Sequence, residues 1–354
     1  MSSPTSSRKG SLPHQLRTAA EPRQNRLYNV RLSHVEEANP SVRLLQLTIP
    51  PEVQDLGDDG QDEGEPDHLQ PLTFLPGQWL DVHIPSIPNA GGFSITSTPA
   101  DAQVLPSLES PAEAIAIEEV GVSPLDPRGR PPYVELAVQK APSNPASAWL
   151  WKPAHEILGT ELSIRVGGSF VWPPSGVALA EIKTVVLIAG GLGINPLISM
   201  LSHLNNDDDE TTTPRHPSFR IHVLYSTKLP PGTTDDGALS ETTLEQVLFL
   251  SRLRQIIRSQ AQCRRLQISL ELFITELRDT ASPMLTDPPD NLTLHARRIG
   301  ERDLRRVTGG PDGRVRPAET VCYVCGPQGM TDELVGSLEG FLGGREHVFY
   351  EKWW

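Results

Sequence analysis

The chain has 354 residues, enough for about two domains, and its 37% hydrophobic and 21% charged residues make a slightly polar globular composition. A net charge of −13 argues against a duplex nucleic-acid partner, which needs a basic face to neutralise phosphates. Three cysteines, Cys263, Cys322 and Cys325, are too few for a disulfide framework or a four-cysteine iron–sulfur site. No metal site is expected, and no apolar run approaches the ~18 residues that cross a bilayer.

In chain order, residues 1–24 carry Arg8, Lys9 and Arg17, several serines and no acid before Glu21. They read as a disordered leader or a mitochondrial presequence, leaving mitochondrion and cytoplasm as the expected locations. Leu44, Leu45, Leu47 and Ile49 mark a strand from Arg43 to Ile49. An acidic, glycine-rich insertion near 51–70 follows. Further strands are expected from Gly77 to Pro85 and from Phe93 to Thr98, before a proline-rich insertion at 100–130. Tyr133 to Lys140 alternates, with Val134, Leu136 and Val138 on one face and Glu135 and Gln139 on the other. That is the period of a half-buried antiparallel strand, and Ser163 to Val166 repeats it. Residues 25–178 therefore read as a small antiparallel β barrel.

From 179 to 354 the pattern changes. Thr184 to Ala189 is continuously apolar, as in a strand covered on both faces. Phe219 to Tyr225, Leu266 to Ile274 and Val321 to Val324 are its expected neighbours. Helical stretches lie at Leu197 to Leu204, Leu244 to Ile257, Leu304 to Val307 and Thr331 to Leu342. Strands alternating with helices imply a doubly wound parallel sheet.

Two glycine motifs carry the chemistry. Gly190-Gly191-Leu192-Gly193-Ile194-Asn195-Pro196 joins the apolar strand to a helical pattern. Glycines there let a diphosphate approach the backbone amides, and Pro196 suits a first helical turn. Cys325-Gly326-Pro327-Gln328-Gly329-Met330 ends another apolar strand, so both motifs point to one sheet edge. The Cys322–Cys325 spacing is that of a redox pair, but residues three apart on a strand face opposite sides.

These motifs, in this order behind a strand-rich half, resemble the ferredoxin–NADP reductase superfamily. The likeness extends to Gly77-Gln78, to Gly91-Gly92-Phe93-Ser94-Ile95-Thr96-Ser97, similar to the family's Arg-x-Tyr-Ser/Thr flavin motif, and to Asn144-Pro145-Ala146-Ser147, similar to its second flavin motif. Gly167-Gly168-Ser169-Phe170 and the terminal Arg345 to Trp354 continue it. The resemblance implies an NAD(P)H-dependent flavoprotein reductase: a flavin-binding barrel, FAD rather than FMN, hydride transfer from nicotinamide dinucleotide, and an electron-acceptor protein as possible partner. It implies that Ser94 lies near the flavin reactive nitrogen, Cys325 by the nicotinamide, and Glu351 in proton movement. Phe93, Ile95, Thr96, Ser147 and Trp354 would line the flavin. Gly190, Gly191, Gly193, Pro196, Gly326, Pro327 and Met330 would line the dinucleotide, with Ser226 and Lys228 positioned for a 2′-phosphate. One departure stands out. Gly91 replaces the arginine that pairs with the flavin diphosphate in the family, removing a charge-assisted contact. The rival reading is a degenerate reductase fold that binds nucleotide or a protein partner without turnover.

Overall fold

The computed structural model describes residues 13–50, 71–103, 131–206, 219–230, 239–263, 265–277, 279–310 and 312–353. Two six-stranded sheets organise them. The first contains β1 (Tyr28–Asn39), β2 (Val42–Thr48), β3 (Trp79–His83), β4 (Gly91–Ser94), β5 (Tyr133–Gln139) and β6 (Glu161–Gly167) in the order β4-β3-β6-β1-β2-β5, every pair antiparallel. A bridge between Ile95 and Leu136 joins the two edge strands and closes the barrel. Alternation drives this closure: Leu45, Leu47, Leu80, Val82, Val134, Leu136, Ile164 and Val166 share one interior cluster.

The second sheet contains β7 (Thr184–Gly190), β8 (Arg220–Thr227), β9 (Gln267–Ile274), β10 (Thr293–His295), β11 (Thr320–Pro327) and β12 (Val348–Trp353), in the order β10-β9-β8-β7-β11-β12, all parallel. The described helices are α1 (His14–Arg17), α2 (Pro145–Leu150), α3 (Ala154–Ile157), α4 (Ile194–Asn206), α5 (Glu241–Glu245), α6 (Leu250–Cys263), α7 (Glu301–Thr308) and α8 (Gln328–Leu342). Helices α4 and α6 cover one face of the second sheet, α7 and α8 the other. The order runs outward from β7 through β10, then returns to β11 on the other side of β7. The β7/β11 boundary is thus the topological switch point, where open α/β sheets bind ligands beyond the strand ends. No described helix is long and apolar enough to cross a membrane.

Four sequence expectations change. Residues 13–24 are not a structureless leader: they form α1 and then pair along the barrel, with Arg23 bridging Gly167. Residues 1–12 lie outside the described set, as do the insertions at 51–70 and 104–130. Strand β1 has no counterpart in the sequence reading, because only Val30 and Leu32 of its alternation are buried before charged residues take over. The expected helix from Leu244 to Ile257 is two helices. The run Val247-Leu248-Phe249-Leu250 is buried throughout, and the chain breaks there with Phe249 in the left-handed region at φ 61°. Finally, β5 is buried on both faces. The face with Glu135 and Ala137 meets the second sheet's domain instead of water: Arg252 donates to both Glu135 oxygens at 2.9 and 3.1 Å, and Asn195 donates to the Ala137 carbonyl.

Candidate functional site

The two glycine motifs interlock at the switch point. Strand β7 ends at Gly190, Gly191–Gly193 form one tight turn, and α4 begins at Ile194, with Pro196 in its first turn. A Cβ at Gly193 would overlap the Cys325 carbonyl and lie 2.8 Å from the Gly326 nitrogen. One at Gly190 would lie 2.7 Å from the Met330 Cε and 2.8 Å from Pro327 Cδ, and one at Gly326 would lie 2.6 Å from the same Met330 carbon. These three glycines are demanded by the packing of one strand end on the other. Gly191 differs: its φ is +53° and nothing lies within 4 Å of the position its Cβ would take, so its backbone faces open space where a diphosphate could approach. Ser226 stands beside Gly190 in the β7–β8 register. Lys228 is tied to Glu276 at 2.6 Å in a solvent-exposed pair, a weak restraint that leaves its charge available.

The terminal strand brings further groups to this edge. Glu351 pairs with Cys325 in the β11–β12 register. Cys325 is fully buried, and burial, then the neighbouring Glu351 charge, push its thiol well above the usual range. It is therefore a protonated, unreactive thiol. Cys322 and Cys325 belong to opposite-face clusters, so they are not a redox pair. Burial, then Glu21, raise Glu351 to about 8. The Trp353 indole is close enough to Glu351 and Cys325 to lower both values in part, although neither its Nε1 nor the Glu351 Oε2 makes a hydrogen bond of ordinary geometry. Trp354 lies outside the described residues.

On the barrel side, Ser94 is buried with its Oγ unpartnered. Phe93 is half-buried and folds back toward Gly91. Ile95 and Thr96, expected at the cofactor, serve the fold instead. Ile95 lies in the barrel core, and the Thr96 hydroxyl donates to Glu135 at 2.8 Å. Ser147 is likewise engaged: its Oγ accepts from the Ala141 amide and donates to the Gln139 carbonyl at 2.6 Å.

A flavin fits one end of this arrangement and not the other. Unpartnered buried polar atoms occur at Ser94 Oγ on β4 and at Glu351 Oε2 on β12; buried polar groups ordinarily have partners. At the diphosphate end two amides of α2 are already engaged, and the nearby cation is Lys140, exposed and 5.2 Å from the Trp151 ring. The Asn144 side chain accepts from both the Ala146 and Ser147 amides, capping α2 from within the protein. Gly91 has no room for any side chain, because its Cβ would lie 2.6 Å from the Ala146 Cβ and from the Phe93 ring.

The sequence reading missed a charged cluster behind β4. Asp81 is fully buried and accepts from Arg23 at 2.9 Å and Arg165 at 2.8 Å, with His14 Nε2 3.3 Å away. Burial alone would raise Asp81, but the bonds from His14, Arg165 and Arg23 outweigh it and hold the carboxyl well below the usual range. A carboxylate inside Trp79-Leu80-Asp81-Val82 is a signal that could have found it. Nothing marks His14 in a polar leader. Elsewhere, a cleft of about 750 Å³ opens on the outer strands β8–β10. Its lining includes no residue of either glycine motif; Glu271 is paired with His295 and Arg306, and Asp303 with Arg297, while Arg302 also lines it.

No family model matches the chain. It is 26% identical over 341 residues to a protein from Danio rerio named oxidoreductase NAD-binding domain-containing protein 1, covering 96% of this chain and 97% of that one. Among solved structures, it is similar to the Amycolatopsis cytochrome P450 reductase GcoB, with TM-score 0.56 and 16% identity over 93% of this chain and 71% of that one. It is also similar to a ferredoxin NADP+ reductase from Neisseria gonorrhoeae with bound FAD and NADP, with TM-score 0.54 and 12% identity over 93% and 99%. The chain has the ferredoxin–NADP reductase-type fold, an antiparallel barrel followed by a parallel sheet, and over nearly its whole length it is similar to proteins named oxidoreductase NAD-binding domain-containing protein 1.

Proposed function

We propose that the protein is an NAD(P)H-dependent flavoprotein reductase that passes electrons from a bound flavin to a further acceptor, a partner protein being one candidate. The observation that carries the reading is the convergence of Gly191, Cys325 and Glu351 at the switch point of the parallel sheet, with unpartnered polar atoms on both β4 and β12. A bound flavin would supply the hydride acceptor and the store from which electrons leave. The chain's own groups do the rest. The open backbone at Gly191 receives the dinucleotide diphosphate, and the Ser94 hydroxyl is free to bond the flavin ring edge. The buried Cys325 thiol, held protonated by burial, would border the nicotinamide without attacking it. Glu351, protonated at neutral pH, is placed to hold or release a proton at its Oε2. We assign FAD as the flavin, held by its ring more than by its diphosphate.

A second reading, a nucleotide-binding fold without turnover, draws on the capped α2 and the missing arginine. One experiment separates them. Purified protein is incubated with FAD, desalted, and mixed anaerobically with NADH or NADPH. Retained flavin absorbance that bleaches on mixing supports the reductase; dinucleotide binding with no flavin uptake supports the second reading.

A further inference from the structure

We infer that residues 13–21, held down by His14 and Glu21, form a strap over the ring end of the flavin site, and that flavin enters only when this strap lifts while Arg23 stays on Asp81. The inference rests on the reading that the flavin ring lies against Ser94.

The strap occupies the face in question. A Cβ at Gly92 would overlap the His14 imidazole, so that ring fills the space in front of Gly92. Ser94 lies on the same face of β4, because alternate strand residues do. Trp79, the cross-strand neighbour of Ser94, is covered as well: His14 meets it edge-on at 4.7 Å and the Arg23 guanidinium lies 4.8 Å from its ring.

The strap runs along the barrel. His14 ties it to Asp81, and the chain that follows it is anchored by Arg23 on Asp81, by the Gly168 amide donating to the Pro22 carbonyl, and by the Gln24 amide donating to the Val166 carbonyl. The Glu21 carboxylate accepts from the Ser169 amide and hydroxyl at 3.1 and 2.7 Å, and it stands close enough to Glu351 to raise that residue's proton affinity.

The strap is also built to leave. Helix α1 is four residues long and buries only His14, while Leu16 is 63% exposed. Beyond His14, it is held to the barrel by the exposed Glu21–Ser169 contact, with almost no apolar core of its own, while Arg23 and Arg165 keep Asp81 paired when it opens. With the Ala146 and Ser147 amides already bonded to Asn144, a flavin leans on the ring face the strap covers, and the two compete. Apparent affinity scales with the fraction of open molecules: a strap closed in about nine molecules of ten hides about tenfold.

The test uses the full chain, the variant His14→Ala/Glu21→Ala, and Arg31→Ala as a control in an exposed ion pair. Arg23 and Arg165 stay on Asp81 in all three, and melting curves verify folding. FAD and FMN are titrated by absorbance and fluorescence, and amide exchange in residues 14–21 is followed with and without saturating FAD. The expected result is flavin binding about tenfold tighter in the double variant, unchanged binding in Arg31→Ala, and faster exchange in the strap when FAD binds the parent. Equal affinity in parent and double variant, or slower strap exchange with FAD, overturns the strap and leaves the flavin reading standing. No flavin binding by any of the three overturns both.

Discussion

Replacing Gly193 by alanine should damage the fold, whereas the same change at Gly191 should damage only binding. At Gly193 the new methyl overlaps the Cys325 carbonyl oxygen and carbon and lies 2.8 Å from the Gly326 nitrogen. All three are backbone atoms of β11, a central strand held by β7 and β12, so no side chain can rotate away. The turn must part from the strand, placing the cost at the upper end of overpacking, about 3 kcal/mol. At Gly191 the methyl meets nothing within 4 Å, and the cost is that of a non-glycine residue at φ +53°, about 1 kcal/mol. For a domain of this size the Gly193 change should lower the melting temperature by about 6–12 °C and the Gly191 change by about 2–4 °C. Calorimetry and denaturant melts measure the stabilities, and NADH and NADPH titrations measure binding. Gly191→Ala should stay folded and lose dinucleotide affinity, because its methyl stands where the diphosphate approaches. The reasoning fails if Gly193→Ala is as stable as the parent, or if Gly191→Ala binds both dinucleotides unchanged.

Other outcomes follow from the same geometry. Glu351, raised to about 8 by burial and then Glu21, keeps its proton in the fold while the unfolded chain has lost it, so folding stability declines as pH rises from about 4.5 through 8. Glu351→Gln should remove that decline, matching the parent near pH 4 and exceeding it above pH 8 by about 1–2 kcal/mol after allowance for solvent contact; denaturant melts across pH would show parallel curves if this is wrong. Arg252→Ala strands the buried Glu135 carboxylate between the two sheets and should cost about 2–3 kcal/mol, less than a fully buried pair because Arg252 is a third exposed. Adding Glu135→Gln should recover part of it, and equal losses in single and double variants would contradict the account. With the α2 amides already capped by Asn144, the second phosphate of FAD gains little, so calorimetry should find FAD and FMN binding within about tenfold of each other; FAD tighter by more than a hundredfold would show a diphosphate seat.

Much of the fold was legible because it rests on periodicity. The apolar run from Thr184 and the alternation from Tyr133 report local burial, and the glycine motifs report where two strand ends must touch. What escaped depends on the partner across an interface. Glu135 looks solvent-facing in an alternating strand, yet its partner Arg252 is 117 residues away. Asp81 is interpretable only with Arg23, Arg165 and His14 around it, and His14 sits in a stretch whose composition signals disorder. Ile95 and Thr96 were placed at the cofactor by motif position, but the barrel closure at Ile95–Leu136 turns one inward and ties the other to Glu135. Gly91 was legible as a departure, but only the packing of Ala146 and Phe93 on it shows that an arginine has no room there.

The most direct test of the central claim is anaerobic rapid mixing of flavin-loaded protein with NADH and with NADPH, following the visible flavin absorbance. The account predicts bleaching whose rate saturates with dinucleotide concentration and is lost in Gly191→Ala while flavin stays bound. Bound flavin that neither dinucleotide reduces, or reduction that Gly191→Ala leaves unchanged, would contradict it.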